Sequence, residues 1–578
     1  MRLKSVVSSA LLSLVLGLLP IQVAQAAEYW TFQRDKAMPS SVNIYISEGS
    51  GSPVRSTPLI IPNDRGFPWK KMGNICVELG EIPCENINET YAVDILLPKC
   101  EEKTQNWCID KLLFSNAQQN NIPAKFDRYT NGKSYKANAG WGLPVNATTS
   151  IWNAPSFPHL GATSEYAVKV SVRALALNGD FSVYYFNASV LPFKIKSGAY
   201  EDARVYELPS PNRADAFTYG WEGVHPECVW SEAGKCGEYA NFSADVSVSL
   251  NLRVGDDITK WIFGRTMDTE IRVDVLDKGR NLLSVSGKPQ SVGVFSASVP
   301  KVSLAPELKF PQFPDISSSI ENSLYTELVA ADAWGRSGQI LEKWRGVVSD
   351  KAIATNTYWN FGSTPANHFF TKITQCNAAS VPKPYGFVST NATTYPVGPP
   401  SFADGQFTYQ ISGLHYNEKN EVIEGEYTLL IRKEALKCLY GFSQTPTRAE
   451  VSILRGDKLD RITTNQISEI FDSQGSWLKL SLRGFTFSTP TIAVRFFVPE
   501  EVGATPLNSG LDVGAGSAKP QDSPASKGSS TVKQGAEAKE ESQTKAMAKK
   551  KIITCIKGKT TKKVTGSTPK CPAGYKKK

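Results

Sequence analysis

Histidine and methionine are scarce in this sequence, with 4 and 5 among 578 residues. So few histidines disfavour a histidine-rich metalloenzyme, and 43 glycines and 35 prolines disfavour a helical bundle. The H-E-x-x-H, G-x-S-x-G and EF-hand patterns are absent. Gly132-Lys133-Ser134 resembles the end of a phosphate loop, but Asp127 stands where its first glycine belongs. The sequence therefore identifies no reaction and no catalytic residue, and we expect neither a cofactor nor a metal.

Long apolar stretches are also lacking, apart from residues 6–21, which follow a short basic segment at 2–4. A small-x-small site then ends at Ala26. This order predicts a signal peptide over 1–26, cleaved before Ala27. A transmembrane anchor is the alternative, but the run is shorter than the roughly 20 residues that span a bilayer. We expect a secreted protein that is associated with the cell surface and has no transmembrane anchor.

The ten cysteines are even in number, and six of them recur at the spacing C-x7-C. In an exported chain such a set predicts five disulfides. The favoured pairs are Cys76–Cys84, Cys100–Cys108, Cys228–Cys236, Cys376–Cys438 and Cys555–Cys571. Crossed pairings within 76–108 remain open, because spacing does not fix connectivity. A zinc site is disfavoured, because the close C-x2-4-C spacing it needs is absent.

Positive charge is concentrated at the C-terminus. Residues 549–578 hold 11 lysines and no acid, residues 505–548 hold five of each sign, and residues 27–504 hold 46 basic and 50 acidic side chains. Clustered lysine predicts binding to an anionic cell-envelope polymer or glycan, with a solubilising tail as the alternative. The binding lysines would be Lys549, Lys550, Lys551, Lys557, Lys559, Lys562, Lys563, Lys576, Lys577 and Lys578. Specific nucleic-acid binding is disfavoured, because the tail has one aromatic residue and no arginine.

The tail sequence predicts a small folded module that a flexible linker joins to the body. Residues 503–548 are poor in apolar side chains and predict a disordered linker. Two β-prone segments, 552–556 and 560–564, then flank Lys557-Gly558-Lys559, which predicts a β-hairpin. An isolated hairpin is only marginally stable, and a Cys555–Cys571 disulfide would stabilise this one by cross-linking it.

The body between residues 27 and 502 has period-2 alternation typical of strands. Tyr166, Val168, Val170 and Val172 alternate, and Asn178-Gly179 then predicts a hairpin turn. Further candidate strands span 242–254, 407–416, 426–433, 448–455, 477–488 and 491–498. Short strands at this spacing favour several antiparallel β-sandwich or barrel-like domains over a parallel α/β sheet.

We place β domains at 27–200, 201–305 and 351–502, the first containing the early disulfide loops. Between the last two lies a Pro-rich connector, 306–350. A helix is predicted there, because Ile316, Ile320, Leu324 and Leu328 recur every four residues after a candidate N-cap at Asp315.

Two loops rich in aromatic residues are candidate ligand surfaces. The first, 138–162, carries Trp141, Trp152 and His159, and the second, 220–236, carries Trp221 and Trp230. Aromatic faces on rigid loops suit recognition of a sugar ring or a partner. The alternative is that these side chains close the ends of the β-sandwiches, and packing of this kind is the more common role.

The tail sequence ITCIKGKTTKKVTG…PKCPAGYKKK resembles the Lys-rich, two-Cys C-terminal segment of secreted and cell-surface proteins from high-GC Gram-positive bacteria. The block from YPVGPPSFADGQFTYQ to GFTFSTPTI, over roughly 351–502, also resembles a recurrent domain of such exported proteins. The resemblance implies export, surface association and an all-β body, and it carries over no catalytic residue.

Together these features predict a secreted, non-enzymatic binding or adhesion protein that its C-terminal tail retains at the cell surface. A secreted hydrolase acting on polysaccharide or peptide is the first alternative. A cleft with two carboxylates beside Trp141 or Trp221 would favour it. A structural surface-layer component is the second alternative.

Overall fold

The computed structural model describes much of the span 41–497 and three strands near the C-terminus. The described residues are 41–48, 59–63, 90–132, 134–177, 179–202, 204–209, 217–222, 227–255, 261–277, 279–300, 326–332, 336–364, 376, 382–403, 405–442, 444, 446, 448–455, 458–462, 467–473, 475–487, 491–497, 551–557, 560–566 and 576–577. The predicted signal peptide with Ala26 and Ala27, and the predicted linker 503–548, lie outside these residues. The chain divides into two compact units, Met1–Val502 and Gly503–Lys578.

The fold is mainly β, as the sequence predicts. The strands of the first half are β1 (Ser41–Ser47), β2 (Leu59–Asn63), β3 (Thr90–Leu96), β4 (Cys108–Ser115), β5 (Ile122–Pro123), β6 (Lys125–Tyr129), β7 (Ser150–Asn153), β8 (Glu165–Leu177), β9 (Asp180–Ser197), β10 (Arg204–Pro209), β11 (Phe217–Glu222), β12 (Cys228–Glu232), β13 (Lys235–Tyr239), β14 (Ser247–Val254), β15 (Trp261–Asp277), β16 (Arg280–Val294) and β17 (Ser296–Pro300).

In the second half, the described residues form two helices in addition to the strands. Its elements are β18 (Thr326–Val329), β19 (Ala331–Asp332), α1 (Arg336–Trp344), β20 (Ala354–Ser363), β21 (Gly386–Thr390), β22 (Tyr395–Pro396), β23 (Ser401–Ala403), β24 (Gln406–Gln410), β25 (Glu424–Arg432), α2 (Lys433–Tyr440), β26 (Arg448–Arg455), β27 (Lys458–Ile462), β28 (Ile467–Asp472), β29 (Gly475–Thr486) and β30 (Thr491–Phe497). The C-terminal unit contains β31 (Lys551–Lys557), β32 (Thr560–Gly566) and β33 (Lys576–Lys577).

Two sheet layers enclose the largest core. One layer contains β3, β8, β9 and β20, in which each strand pairs antiparallel with the next. The other layer contains β4, β14, β16 and β15, which pair in the same way. Alternate residues of both layers, such as Val170 of β8 and Leu250 of β14, are buried in one hydrophobic cluster. Period-2 alternation produces this arrangement, because successive side chains point to opposite faces of a strand.

Strand β15 belongs to both layers and joins the body into one unit. Its first residues pair with β20 and β21, and its later residues pair with β16. The register breaks between Met267 and Glu270, where Asp268 has a φ of 56°. Such a bulge bends a strand and lets it pass from one layer to the other. Strands from 27–200, 201–305 and 351–502 therefore pair directly with one another.

Two further cores flank this sandwich. One lies beneath α2 and the sheet β23-β24-β30-β26-β27, and Tyr409, Tyr427 and Leu436 are buried in it. The other joins α1 to the small sheet β17-β1-β18 and buries Ile44, Leu341 and other apolar side chains. The boundary between these two cores positions the cleft described below.

Local turn patterns predicted hairpins correctly. Strands β8 and β9 pair antiparallel through the predicted turn, where Gly179 has a φ of 87°. The predicted strand 242–254 is wrong at its start, because β14 begins at Ser247 after a turn at 244–245. Phe242 and Val246 are nevertheless buried, which explains why the alternating pattern extends beyond the strand.

The predicted connector helix is wrong at Leu328. This residue lies in β18, which pairs in parallel with β1 and buries Leu328 in the core beside α1. Residues 301–325, with the other apolar positions of that pattern, lie outside the described part. The connector does contain a helix, but it is α1, whose Ile340, Leu341 and Trp344 are buried.

Three of the predicted disulfides are present. They join Cys100 to Cys108, Cys228 to Cys236 and Cys376 to Cys438. The first pairing excludes the crossed alternatives that involve Cys100 or Cys108. Cys76 and Cys84 lie outside the described residues, and their pairing remains a prediction.

In the parts of the chain that the structure describes, neither helix has the length and apolar character needed to cross a membrane.

Candidate functional sites

The C-terminal unit contains a three-stranded antiparallel sheet with β31 between β32 and β33. The β31–β32 pairing runs from Lys557 opposite Thr560 to Lys551 opposite Gly566, which confirms the predicted hairpin. Several predicted residues of the tail lie outside the described strands, and the Cys555–Cys571 disulfide therefore stays a prediction. These residues are Lys549, Lys550, Lys559, Cys571 and Lys578.

The register places four lysines of this sheet on one face. Residues directly opposite each other belong to the same face, and residues two apart along a strand do so as well. Cys555 lies opposite Lys562 on one side and opposite Lys577 on the other. Lys551 and Lys557 stand an even number of residues from Cys555 along β31, so they share its face. With strands about 4.8 Å apart and a rise of about 3.3 Å per residue, these positions span roughly 10 by 20 Å.

The opposite face of the tail sheet carries fewer lysines. Lys563 lies opposite Thr554, and Lys576 lies opposite Ile556. Both partners alternate with Cys555 along β31, which puts the two lysines on the other face. The six described lysine positions of the tail sheet are therefore divided four to two between its faces. We name the face with Lys551, Lys557, Lys562 and Lys577 the lysine face.

Both predicted tryptophans of the loop 138–162 are buried. Trp141 is 6% exposed and its ring centroid lies 4.7 Å from that of Tyr91. Trp152 is 3% exposed, meets Phe126 edge-on, and donates its Nε1–H to Ser150 Oγ at 2.9 Å. Neither indole offers a free face to a ligand, so the geometry favours the packing role.

His159 is also buried; its ring meets that of Tyr166 edge-on, and both of its nitrogens form hydrogen bonds. Its Nδ1 accepts from the Gly161 N–H at 3.0 Å, so Nε2 carries the proton and lies 2.9 Å from the Glu165 carbonyl. Burial lowers the pKa of His159, because the charged imidazolium is desolvated. The side chain orders the loop around it and is not presented to solvent.

The second aromatic loop is also packed inward where it is described. Trp230 is 1% exposed and meets Phe193 edge-on. Its indole lies over Gly237, where an added Cβ would stand 2.2 Å from Nε1, so this position requires glycine. The Arg128 guanidinium covers the ring at 5.3 Å. Trp221 lies in β11 opposite Val205, and its side chain is outside what the structure describes.

A cleft of about 360 Å³ lies between α1 and the sheet that contains β24. Its walls come from five separate segments: the end of β19, the first turn of α1, residues 394–401, residues 408–412, and the start of β30. The segments belong to three regions that are far apart in sequence, near 332–339, 394–412 and Thr491, so no local pattern revealed the cleft.

Backbone hydrogen bonds fix the floor of this cleft. The Thr394 N–H donates to the Ser412 carbonyl at 2.8 Å, and the Ser412 N–H donates to the Thr394 carbonyl at 3.0 Å. On the facing side, Asp332 Oδ2 accepts from the Ser337 N–H at 2.8 Å and so caps the first turn of α1.

Two buried hydroxyl groups of the cleft residues have no hydrogen-bond partner in the described protein. They are Thr394 Oγ1 and the Tyr395 hydroxyl, on residues that are 1% and 3% exposed. Burial raises the pKa of Tyr395, which keeps its hydroxyl neutral. An unsatisfied buried hydroxyl is costly, so each such group in a folded protein needs an explanation.

Gly338 of α1 lies beside two hydroxyl-bearing side chains of the cleft. A Cβ at this position would stand 3.4 Å from Thr394 Oγ1 and 3.5 Å from Ser412 Oγ, which is ordinary van der Waals contact. Glycine therefore leaves room for about one methyl group between α1 and these two side chains.

The cleft does not present the carboxylate pair of a glycosidase. Among its described lining residues Asp332 is the single carboxylate, and it already caps α1. Hydrolysis of a glycosidic bond requires two carboxyl groups on either side of the bond. In the described regions, no three His, Cys, Asp or Glu side chains are grouped in a way that could hold a metal ion.

Comparison with known proteins gives no match to a protein-family model and no match to a curated protein.

Proposed function

We propose that this protein is exported and acts as a non-enzymatic binding protein, which its lysine-rich tail retains at an anionic cell envelope. The β body supplies the binding surface, and the tail supplies the attachment. The resemblance of the tail to the C-terminal segment of exported Gram-positive proteins agrees with this division of roles.

The observation that carries the proposal is the separation of charge along the chain. The last thirty residues hold 11 lysines and no acid, whereas residues 27–504 have a slight acidic excess. The described strands of the tail form a sheet with four lysines on one face. A folded array of ammonium groups can contact several charges of a phosphate-bearing or carboxylate-bearing polymer at once, which a diffuse cationic tail does less well.

The disulfides support a location outside the reducing cytosol. Cys100–Cys108, Cys228–Cys236 and Cys376–Cys438 are each closed. Disulfides persist in oxidising compartments and are rare in the cytosol, so these bridges agree with the signal peptide predicted at 1–26.

A retention experiment with the full chain tests the attachment. The wild type and two variants are passed over immobilised long-chain inorganic polyphosphate and eluted with increasing salt. One variant replaces Lys551, Lys557, Lys562, Lys563 and Lys576 with glutamine. The matched control replaces the five lysines of 505–548, which are Lys519, Lys527, Lys533, Lys539 and Lys545.

We expect the tail variant to elute at much lower salt than the wild type, because it has five fewer ammonium groups to contact the polyphosphate. Salt elutes the protein because it screens exposed charge pairs within about 10 Å at 0.1 M. The control variant should elute later than the tail variant. Equal retention of all three proteins would refute attachment through the tail.

A further inference from the structure

We propose that the cleft between α1 and β24 binds a short neutral saccharide. This inference deepens the binding role of the β body and rests on the proposed function for its biological setting. The cleft volume of about 360 Å³ falls within the range of small-molecule sites.

The chemistry of the walls matches an uncharged ligand with many hydroxyl groups. Five of the fifteen described lining residues carry a serine or threonine hydroxyl: Thr394, Ser401, Thr408, Ser412 and Thr491. Gln339 and Gln410 add two amides, which both donate and accept hydrogen bonds. The described lining contains no lysine or arginine, and the Asp332 carboxylate would repel an anion. The polyanion proposed for the tail therefore does not suit this cleft.

The unpartnered hydroxyl of Thr394 points to a missing partner. Its Oγ1 is buried without a hydrogen bond, while the neighbouring residue Thr393 has its Oγ1 3.1 Å from the Gly293 carbonyl. A Cβ at Gly338 would make ordinary contact with Thr394 Oγ1, at 3.4 Å, so α1 leaves room for about one methyl group beside this hydroxyl. A ligand hydroxyl that reaches Thr394 Oγ1 on binding would supply the absent hydrogen bond and relieve the cost of the buried polar group.

Several hydrogen bonds hold the backbone of the segment that carries Thr394. Arg265 donates hydrogen bonds to the carbonyls of Thr390 and Ala392, both at 2.6 Å, and its guanidinium stacks over the Tyr395 ring at 4.4 Å. The Tyr395 N–H donates to the Ala330 carbonyl at 2.9 Å. A wall held in this way needs little reorganisation on binding, which favours affinity for a small ligand.

Binding is measured by calorimetric titration of the full chain with three neutral trisaccharides: maltotriose, cellotriose and N-acetylated chitotriose. Salt of about 0.5 M suppresses binding through the tail, because the Debye length is then only about 4 Å. The variants are Thr394→Val, Gly338→Leu and, as matched control, Thr393→Val. Thermal unfolding of each variant shows whether it is folded.

We expect the wild type to bind at least one trisaccharide. Thr394→Val should weaken that affinity about tenfold, the equivalent of one neutral hydrogen bond, and Gly338→Leu should abolish binding by filling the cleft. Thr393→Val should bind as the wild type does. The melting temperature should fall for Thr393→Val, which loses a paired hydroxyl, but should not fall for Thr394→Val.

Failure of the wild type to bind any of the three trisaccharides overturns the inference, as does binding that neither Thr394→Val nor Gly338→Leu alters. The tail variant with five glutamines distinguishes this failure from failure of the attachment. It should lose retention on polyphosphate and keep trisaccharide binding, because the two sites use different residues.

Discussion

Arg265 and Glu48 form a bidentate ion pair inside the protein, although 217 residues separate them. Arg265 Nε lies 2.9 Å from Glu48 Oε2 and Nη2 lies 3.0 Å from Oε1, and the side chains are 0% and 8% exposed. Glu48 follows β1, whereas Arg265 lies in β15. The pair therefore connects the small sheet beside α1 to the main sandwich.

Replacing Glu48 alone should strongly destabilise the fold. In Glu48→Gln the guanidinium remains buried without a counter-charge, and breaking one side of a buried pair costs about 3–5 kcal/mol. Urea unfolding of the variant should show this loss in the free energy of unfolding.

The double variant Glu48→Gln with Arg265→Met provides the control. Removing both charges eliminates the isolated cation, so the double variant should be more stable than the sum of the two single losses, with a coupling of about 1–3 kcal/mol. Additive losses would show that the pair does not act as a unit.

Lys169 belongs to a buried polar row that ends at the same arginine. Lys169 lies opposite Ser189, Ser189 opposite Asn360, and Asn360 opposite Arg265, across β8, β9, β20 and β15. All four residues are at most 6% exposed. Burial lowers the pKa of Lys169 to about 7, because the ammonium group is desolvated.

This shift predicts that the wild type gains stability relative to Lys169→Met as the pH rises. Between about pH 7 and 10.5 the unfolded chain keeps a proton on Lys169 that the folded chain has released. Raising the pH therefore favours folding, by about 1.4 kcal/mol per pH unit within this window. Urea unfolding from about pH 7 to pH 9.5 should show the trend.

An exposed lysine gives the matched control. Lys111→Met removes an exposed lysine of β4 and controls for the loss of one positive charge over the same pH range. A stability difference for Lys169→Met that stays constant over this range would contradict the lowered pKa of Lys169.

The disulfide Cys376–Cys438 should stabilise the fold more than Cys100–Cys108. It joins residues 62 positions apart, against 8 for the shorter loop, and loop-closure entropy grows with loop length. On that account the long loop contributes about 4 kcal/mol and the short one about 2.6 kcal/mol. The paired alanine variants of each bridge can be compared by urea unfolding, and a larger loss for the shorter loop would count against the entropic account.

Local patterns predicted the hairpins, because a turn and its flanking strands lie within a few residues of one another. Leu328 shows the limit of this reasoning. Its four-residue spacing suggested a helix, but pairing with β1, far away in sequence, makes this segment a strand. Helix α2 was also missed. It begins directly after β25 and spans only eight residues, little more than two helical turns, so its periodicity is too brief to stand out in the sequence.

The two candidate sites also differ in whether the sequence alone predicts them. The lysine tail is a contiguous stretch, so its charge and hairpin could be predicted from the sequence. The cleft is assembled from segments between Asp332 and Thr491 that meet only in the folded chain. The aromatic loops were predicted as candidate ligand surfaces, and the structure buries Trp141, Trp152 and Trp230. The sequence cannot distinguish a buried aromatic side chain from one that binds a ligand, because the same residue types serve both roles.

The two faces of the tail sheet allow the electrostatic attachment to be tested at constant charge. Lys562 and Lys577 belong to the lysine face, and their sequence neighbours Lys563 and Lys576 belong to the other. Glutamine at either pair removes two charges from the same two strands. If the polymer binds one face, the Lys562/Lys577 variant should lose about 30-fold in affinity for polyphosphate, at about 1 kcal/mol per lysine.

The Lys563/Lys576 variant should lose much less, because those positions face away from the bound polymer. Both affinities are measured at one salt concentration, since screening changes them together. Equal losses would mean that the polymer senses only the net charge of the tail. In that case the polymer would contact both faces, and all six described lysines of the tail sheet would contribute equally. The sheet would then bring the lysines close together without orienting them towards one side.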